Sequence, residues 1–289
     1  MREGILAGAR ASASPVIVAS TLPELLDDAA AQRFIEAGLP AVAGLRTGLR
    51  CALPLERAGG DPVRLRAIAA AARRAPSPEA NGWLAEHEAK QLLRAGGVAV
   101  VEGRVAPGEG EAVAALAELG APVALKLSSR ALRHKGELGA LALDLHREQE
   151  VRGLYRRLAA IDGTAAVLVE QMAPPGAELL VSARADAVVP ALAVGLGGVW
   201  TEALDDVAIV PLPASPERVE RALLSLRGAP VLTGGRGRPP LDVEAAARLA
   251  ARTGELLVEG GLTLIELNPV LVYERGAVVV DALAAAGRA

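Results

Sequence analysis

The chain has 289 residues, of which 52% are hydrophobic and 22% are charged, so it can bury the core of one large domain or two modest ones and is not a disordered chain. Its net charge of −3, with dispersed Lys and Arg, and its aromatic content of 2% argue against nucleic acid as the main partner. The single cysteine excludes an internal disulfide framework and fits a reducing compartment, so we expect a cytoplasmic protein.

Two kinds of targeting segment are not expected. The apolar run near the N-terminus is short and is interrupted by Arg10, unlike a signal peptide. No uninterrupted apolar stretch reaches the ~18 residues of a membrane span. We therefore expect a protein without a membrane segment.

The first 74 residues predict a β-α-β-α segment. An apolar run at residues 15–20 predicts a strand, and Ser20 or Thr21 is expected to cap a helix over residues 23–37. A second short strand and two helical stretches follow, which is too little for a complete doubly wound domain. Residues 75–82 (APSPEANG) have the composition of a linker, so we expect domains at 1–74 and 83–289.

Residues 83–289 predict alternating helices, strands and hairpins. The predicted helices span residues 84–95, 109–119, 147–161, 216–226 and 242–258. The predicted strands span residues 98–105, 122–127, 138–145, 165–172, 178–185, 188–194, 208–211, 262–267, 270–273 and 277–281. The hairpins argue for a mixed α/β (α+β) fold and against a purely parallel doubly wound sheet.

Lys126 ends an apolar strand, PVALK, where a charged side chain fits a core poorly. An ammonium there is well placed to bind phosphate oxygens, although a surface lysine at a strand end is the simpler interpretation.

The glycine-punctuated loop that follows contains His134 and Lys135. A neutral imidazole can take up a phosphoryl group, and an adjacent cation can stabilise the added charge, but an exposed loop histidine is the commoner case.

The C-terminal run LIELNPVLVYERGAVVVDAL predicts a hairpin. If the turn is centred on residues 275–276, Val270 pairs with Asp281, and Asn268 becomes a diagonal neighbour of Asp281, ~7–8 Å away. Glu266 shares the strand face of Asn268. Two or three oxygen ligands would then face one point, which suits Mg²⁺. The alternative is a set of polar hairpin residues that face solvent.

Two glycine turns, GLGG with Gly197 and Gly198 and TGGRG with Arg236, allow a backbone to approach a ligand closely. Neither lies in a Walker or strand-GxGxxG-helix context, so a plain turn is the simpler interpretation of each alone. Glu170 ends another apolar strand and could offer backbone groups to a base and a carboxylate to a sugar, or be an ordinary strand end. Glu178 is a further acid beside these loops.

Seven short motifs follow one another in an order that strongly resembles one family. They are EHEAK (86–90), PVALK (122–126), HKGELG (134–139), VEQMAPPGAEL (169–179), VGLGG…E (194–202), GGRG (234–237) and ELNP…DA (266–282). The family is the ATP-grasp, or β, part of NDP-forming acyl-CoA synthetases, such as ADP-forming acetate–CoA ligase, which is related to the succinyl-CoA ligase β subunit. The resemblance covers about residues 81–283, and the N-terminal piece resembles the tail of the family's flavodoxin-like ligase domain.

The resemblance implies a two-lobe ATP-grasp fold, preceded by a partial flavodoxin-like segment, that binds ATP and Mg²⁺. His134 matches the family's mobile histidine, which relays phosphate, and Glu266 matches an acid two residues before the family's asparagine. Asn268 and Asp281 match the magnesium ligands of the succinyl-CoA relatives. The ATP-binding residues are expected to be Lys126, Lys135, Glu170, Glu178, Gly197, Gly198 and Arg236.

The implied activity is that of an acid–CoA ligase (ADP-forming), in which phosphate passes through a histidine between ATP and an acyl phosphate or acyl-CoA site on a partner. The expected partner is a CoA-binding α-like subunit in a hetero-oligomer that acts on a small carboxylic acid and CoA. The family motif HKSD-x-GG reads HKGELGA here, with Ala140 in place of the second glycine. The alternatives are a catalytically degenerate nucleotide-binding or assembly module, and an ATP-grasp ligase that joins a carboxylate to an amine.

Overall fold

The computed structural model of the protein describes residues 2–12, 14–53, 61–74, 77–131, 139–162, 166–185, 189–198, 206–235 and 237–288. The chain divides into two compact units, Met1–Leu65 and Arg66–Ala289, which we call the N-terminal and the C-terminal unit. In these described ranges, no helix combines the length and the apolar composition that crossing a bilayer requires.

The N-terminal unit contains a β-α-β arrangement. Its elements are α1 (Arg2–Ala11), β1 (Val18–Ala19), α2 (Asp28–Glu36), β2 (Ala41–Val42) and α3 (Leu45–Ala52). Strands β1 and β2 pair in parallel, with Val18 opposite Ala41, as expected for strands joined through a helix. The sequence pattern does not predict α1. The flavodoxin-like character of this unit stays a prediction.

Helix α2 begins later than the sequence pattern predicts. Asp27 caps it by accepting a hydrogen bond from the Ala30 N–H at 2.7 Å, and Pro23–Leu25 forms a separate 3₁₀ turn. The hydroxyl of Ser20, one of the two predicted caps, accepts a hydrogen bond from the Gly44 N–H at 3.0 Å instead. The predicted helix start was wrong because this contact joins residues that are distant in sequence.

The segment expected to be a linker contains a strand. Helix α4 (Pro62–Arg74) is followed by β3 (Ser77–Trp83), which pairs antiparallel with β13 (Ala282–Arg288). Because β3 is the edge strand of its sheet, it tolerates the proline and glycine that suggested a linker. The domain limits expected from the sequence stay predictions.

The C-terminal unit contains two antiparallel sheets. The smaller one has the strand order β4-β7-β5-β6. Its strands are β4 (Gly103–Ala106), β5 (Val123–Ser128), β6 (Leu141–Leu145) and β7 (Ala166–Gln171). Helices α6 (Glu109–Leu119) and α7 (Glu148–Ile161) pack on this sheet. Their apolar faces share a core with Leu125 and Val169, and we call this assembly the small layer.

The larger sheet has the order β10-β9-β8-β11-β13-β3, with β12 also paired to β11. Its further strands are β8 (Ala177–Arg184), β9 (Ala191–Leu196), β10 (Val207–Pro211), β11 (Leu262–Val272) and β12 (Ala277–Val279). The helices of this part are α5 (Glu86–Ala95), α8 (Pro216–Leu224), α9 (Pro230–Thr233) and α10 (Val243–Glu259). Helix α10 packs on α8 and on the central strands. The prediction of a mixed α/β fold with hairpins is confirmed.

The core of the small layer gives a stability prediction. Leu158 on α7 is 0% exposed in this core, whereas Leu143 on β6 is 54% exposed. Leu158→Ala should cost about 2–5 kcal/mol because it removes buried methyl groups and leaves a cavity. The thermal midpoint should fall on the order of 5–15 °C. Leu143→Ala is the matched control, and equal shifts in the two variants, followed by circular dichroism, would contradict the assigned core.

The first turn of α6 gives a pH prediction. Glu109 accepts hydrogen bonds from Arg156 at 2.6 and 2.9 Å and from Arg152 at 3.1 Å, and these bonds lower the pKa of its carboxyl to about 2. A carboxyl with a lowered folded-state pKa stabilises the fold above its unfolded pKa, and this contribution is lost as the pH falls toward the folded value. Glu109→Gln should therefore lower the thermal midpoint at pH 7, and the difference from wild type should shrink from about pH 4.5 toward about pH 2. The exposed Glu111, changed to Gln, is the control, and a difference that persists at pH 2 would count against the ion pairs.

Candidate active site

Strand β5 is buried along its whole length and on both faces. Val123, Leu125 and Leu127 join the core with α6 and α7. Lys126 and Ser128 project to the opposite face because successive strand residues alternate. The strand continues past Lys126 to Ser128, and Lys126 is 5% exposed, so the interpretation of Lys126 as a surface lysine at a strand end was wrong. Lys126 is therefore a buried lysine that needs partners inside the protein.

The Lys126 ammonium lies among three oxygens. Its Nζ donates hydrogen bonds to Glu86 Oε1 at 2.9 Å and to the Val280 carbonyl at 3.0 Å, and it forms an ion pair with Glu170 Oε2 at 2.8 Å. Glu86 comes from α5, Glu170 from β7, and Val280 from the segment between β12 and β13. Lys126 thus connects the small sheet to a helix and to the larger sheet.

A second lysine meets the same partners. Lys90 Nζ donates to Glu170 Oε1 at 2.5 Å and to the Val280 carbonyl at 2.6 Å, and it lies 2.6 Å from Glu86 Oε1. Glu86 and Lys90 are one helical turn apart, so both project from the same side of α5. The side chains of Lys90, Lys126, Glu86 and Glu170, each at most 5% exposed as residues, together with the Val280 carbonyl, form what we call the lysine cluster.

Burial and charge act on the two lysines with different outcomes. Burial lowers the pKa of Lys90, and repulsion by the Lys126 ammonium lowers it further, against the opposing effect of Glu86 and Glu170. Burial also acts to lower the pKa of Lys126, but attraction by Glu86, Glu170 and Asp281 outweighs it and holds that pKa above its usual value. Lys126 is therefore the firmly charged member of the pair.

Sequence reasoning did not single out Glu86 and Lys90 as site residues. The available signal was the motif EHEAK, which places opposite charges at i and i+4 on an otherwise amphipathic helix. Charges on the buried side of a helix are unusual unless they are paired. A second missed residue is Gly103 on β4, where an added Cβ would lie 2.9 Å from Glu170 Cγ. A glycine at this position makes room for the Glu170 side chain.

The C-terminal hairpin has a register two residues away from the predicted one. Val270 pairs with Val279, and Val272 pairs with Ala277, so the turn is centred on residues 274–275. Gly276, with φ +83°, follows the two central residues, where a left-handed conformation suits a glycine. The prediction placed Gly276 in the centre of the turn and was wrong for that reason.

The corrected register brings the expected metal ligands closer together. The Asn268 N–H donates to the Asp281 carbonyl at 3.2 Å, so the two residues lie directly opposite each other rather than on a diagonal. Glu266 pairs with Leu283 in the same register, and it shares a strand face with Asn268. Asn268 is exposed, and Glu266 and Asp281 are partly exposed. This face of the hairpin therefore presents three oxygen-bearing side chains.

The hairpin and the lysine cluster share one short segment. Val280, whose carbonyl accepts from both lysines, immediately precedes Asp281. The Val280 N–H donates to the Pro269 carbonyl at 3.0 Å. Across the part of the chain that the structure describes, no group of three His, Cys, Asp or Glu side chains is close enough to hold a metal. A metal here would rest on Asn268, Asp281 and non-protein oxygens.

A pocket of about 600 Å³ contains three further residues expected at the ATP site. Glu178, Gly197 and Gly198 line it, together with Arg238. The Gly197 N–H donates to the Glu178 carbonyl at 2.7 Å, and an added Cβ on Gly198, which has φ +63°, would lie 2.5 Å from Glu178 Oε2. The glycines are thus required by close packing on β8, and they leave Glu178 at the pocket edge.

The remaining expected residues divide into two groups. Glu170 is described, but its carboxylate is 2% exposed and is paired with both lysines, so the idea of an open carboxylate for a sugar was wrong. Buried carboxylates need such partners. His134, Lys135 and Arg236 lie outside the described residues.

Comparison with known proteins places this geometry in a family. The profile of the ATP-grasp domain family matches residues 76–284. The chain is 33% identical to the β subunit of acetate–CoA ligase (ADP-forming) I from Pyrococcus furiosus, over 70% of this chain and 91% of that protein. It is 36% identical to a trans-feruloyl-CoA synthase from an unknown prokaryotic organism, over 68% of this chain but 29% of that longer protein.

A solved structure agrees with these matches. The dinucleotide-forming acetyl-CoA synthetase 1 of Ca. Korarchaeum cryptofilum, in complex with CoA and Ca-AMPCP, has a TM-score of 0.66 and 36% identity, over 71% of this chain and 93% of that chain. The same protein was also solved with CoA and Mg-AMPPCP, with its phosphohistidine segment pointing towards the nucleotide-binding site (TM-score 0.61, 35% identity, 70% and 91% coverage). The chain described here therefore belongs to the ATP-grasp family, in the group that includes the β subunits of ADP-forming acetate–CoA ligases.

Proposed function

We propose that the chain is the ATP-binding part of an ADP-forming acid–CoA ligase. It works with a CoA-binding α-like subunit in a hetero-oligomer, and His134 relays phosphate between ATP and an acyl phosphate or acyl-CoA site on that subunit. The acid is a small carboxylic acid. Relatives that contain this part as a separate β subunit support a partner subunit.

One observation carries the proposal. Lys126 from the small sheet and the hairpin of the larger sheet meet at the Val280 carbonyl, at 3.0 Å from Nζ, one residue before Asp281. A cation for phosphate oxygens and oxygen ligands for a cation are therefore neighbours, although they belong to different sheets. A lysine beside oxygen ligands for a divalent cation is the arrangement that a bound nucleoside triphosphate and its cation require.

The donor set fits Mg²⁺. Asn268 and Asp281 offer an amide and a carboxylate from directly opposite positions, and Mg²⁺ takes one or two protein oxygens and leaves the rest to water and phosphates. When bound, the cation would neutralise phosphate charge. Glu266 projects from the same face of β11 as Asn268, and we propose it as a catalytic carboxylate beside the metal ligands.

The pocket at β8 and β9 suits the rest of the nucleotide. Glu178 at its edge offers a carboxylate to a ribose, and the backbone at Gly197 and Gly198 lies close by. Lys135 and Arg236 are proposed as further cations for the phosphates. The main chain at the end of β7, after Glu170, is proposed to contact the adenine.

The reaction itself is a phosphoryl relay. A ring nitrogen of His134 attacks the γ-phosphorus of ATP, an N–P bond forms, and the bond to the leaving ADP oxygen breaks. The phosphoryl group is then passed to the partner subunit, where a carboxylate becomes an acyl phosphate and a thiol of CoA displaces the phosphate. Lys126 stabilises the negative charge of the transferred group in the first step.

Ala140, which replaces the second glycine of the family motif, does not crowd the proposed phosphate site. Ala140 is 0% exposed and packs into the core of the small layer, and its carbonyl accepts from the Leu127 N–H at 2.9 Å. Its methyl group therefore faces the helices rather than a ligand. The Ala140 methyl group therefore does not restrict approach to phosphate, which favours the active enzyme over a degenerate module.

A labelling experiment tests the relay. The chain incubated with γ-labelled ATP, Mg²⁺ and the CoA-binding subunit of an ADP-forming acetate–CoA ligase should acquire an acid-labile label, because phosphohistidine hydrolyses in acid. His134→Ala should lose the label. His146→Ala is the matched control, since His146 is an exposed histidine after β6 whose ring contacts Asp144, and it should keep the label.

Three outcomes would count against the relay. An equal label in wild type and His134→Ala, or no label in either, contradicts the role of His134. ATP binding by calorimetry without any labelling would point to a nucleotide-binding module instead. A stable acyl phosphate without phosphohistidine would point to a carboxylate–amine ligase.

The metal ligands give a second test. Asp281→Asn removes a charge from the proposed Mg²⁺ site while keeping the side-chain shape, so the Mg²⁺ concentration for half-maximal ATP binding should rise about tenfold or more. Asp144→Asn, at an exposed position on β6, is the control and should leave it unchanged. Titration calorimetry at several Mg²⁺ concentrations gives the comparison, and an unchanged Mg²⁺ requirement in Asp281→Asn would remove Asp281 from the site.

A further inference from the structure

Lys126 is fully engaged within the protein, so it must change partners to bind phosphate. An ammonium has three N–H donors, and Lys126 has three oxygens within 3.0 Å of Nζ. Its side chain is 6% exposed. A phosphate oxygen can be bound only if at least one of these contacts is given up.

The contacts of Lys126 are duplicated by Lys90. Glu86 Oε1 lies 2.6 Å from Lys90 and 2.9 Å from Lys126, and the Val280 carbonyl lies 2.6 Å from Lys90 and 3.0 Å from Lys126. Both shared oxygens are closer to Lys90. If Lys126 moves away, each of them keeps the Lys90 ammonium as a neighbour.

The Glu170 carboxylate is also shared between the two lysines, each of which contacts a different oxygen. Lys90 holds its Oε1 at 2.5 Å, whereas Lys126 approaches Oε2 at 2.8 Å. Oε2 is buried, and its contact with Lys126 is an ion pair. If Lys126 departs, Glu170 keeps its hydrogen bond from Lys90.

We propose that Lys90 is a positioning residue: it remains in the lysine cluster as the counter-ion of Glu86 and Glu170 and thereby releases Lys126 to bind nucleotide phosphate. This inference rests on the proposed function, because it requires ATP as the ligand. Without Lys90, Glu170 would have Lys126 as its one cationic partner among the described residues, and the departure of Lys126 would leave this buried carboxylate without a counter-ion. Lys126 would then be held in the cluster.

The affinities of Lys90→Met for Mg-ATP and for adenosine test the positioning role of Lys90. Lys90→Met keeps the length of the side chain and removes the charge, so affinity for Mg-ATP should fall about tenfold or more, which corresponds to about 1.4 kcal/mol per tenfold. Affinity for adenosine, which has no phosphates, should stay within about twofold. A merely structural role for Lys90 would weaken both ligands by a similar factor.

A second variant tests the charge argument. Glu86→Gln and Glu170→Gln added to Lys90→Met remove both carboxylates that would hold Lys126 in the cluster, so Mg-ATP affinity should recover to within a few-fold of wild type. This triple variant also keeps the test available if Lys90→Met alone does not fold, because its lysine cluster contains no carboxylate that lacks a counter-ion. Circular dichroism of each variant verifies folding.

Calorimetry distinguishes failure of the proposed function from failure of the positioning role of Lys90. If wild type does not bind Mg-ATP in calorimetry, the proposed function fails. If wild type binds, but Lys90→Met loses the same factor for Mg-ATP and adenosine, or loses nothing, the role of Lys90 is overturned. Failure of the triple variant to recover Mg-ATP affinity also overturns it, since packing rather than charge would then explain the loss.

Discussion

The buried lysine cluster is the constraint on which the C-terminal unit depends. Two ammonium groups, two carboxylates and one carbonyl come from α5, β5, β7 and the Val280 segment. Removing such groups from water is costly unless each finds a partner of opposite charge. The cluster therefore exists only when all four elements are in place. It joins the small layer to the larger sheet at one point.

The Val280 segment also positions the proposed metal site. The segment that supplies the Val280 carbonyl continues into Asp281, so the position of this proposed metal ligand is coupled to the position of the two lysines. Asn268 is held opposite Asp281 by the hairpin register. A nucleotide bound between the sheets would thus contact groups whose mutual distances are set by buried charge rather than by surface loops. Such positioning is what phosphoryl transfer demands of a protein.

Local sequence patterns predicted the elements well where packing and pattern agree. Helix α6 was predicted with its observed limits at residues 109–119, because its apolar periodicity and terminal Gly120 are local signals. The strand β3 was missed, since its pairing with β13 joins residues about two hundred positions apart. The hairpin register was mispredicted because Gly276 follows the two central residues of the turn instead of being one of them.

The sequence by itself determined the family, the mixed α/β class and the identity of the chemical groups, because ordered motifs and residue types are readable without coordinates. It indicated Lys126, Asn268 and Asp281 as neighbours of phosphate and metal. Only the tertiary structure decided that Lys126 is buried, that Lys90 shares all of its partners, and that Asn268 faces Asp281 directly. These are contacts between distant segments, and buried charge is stabilised by the partners that folding brings, which no local pattern contains.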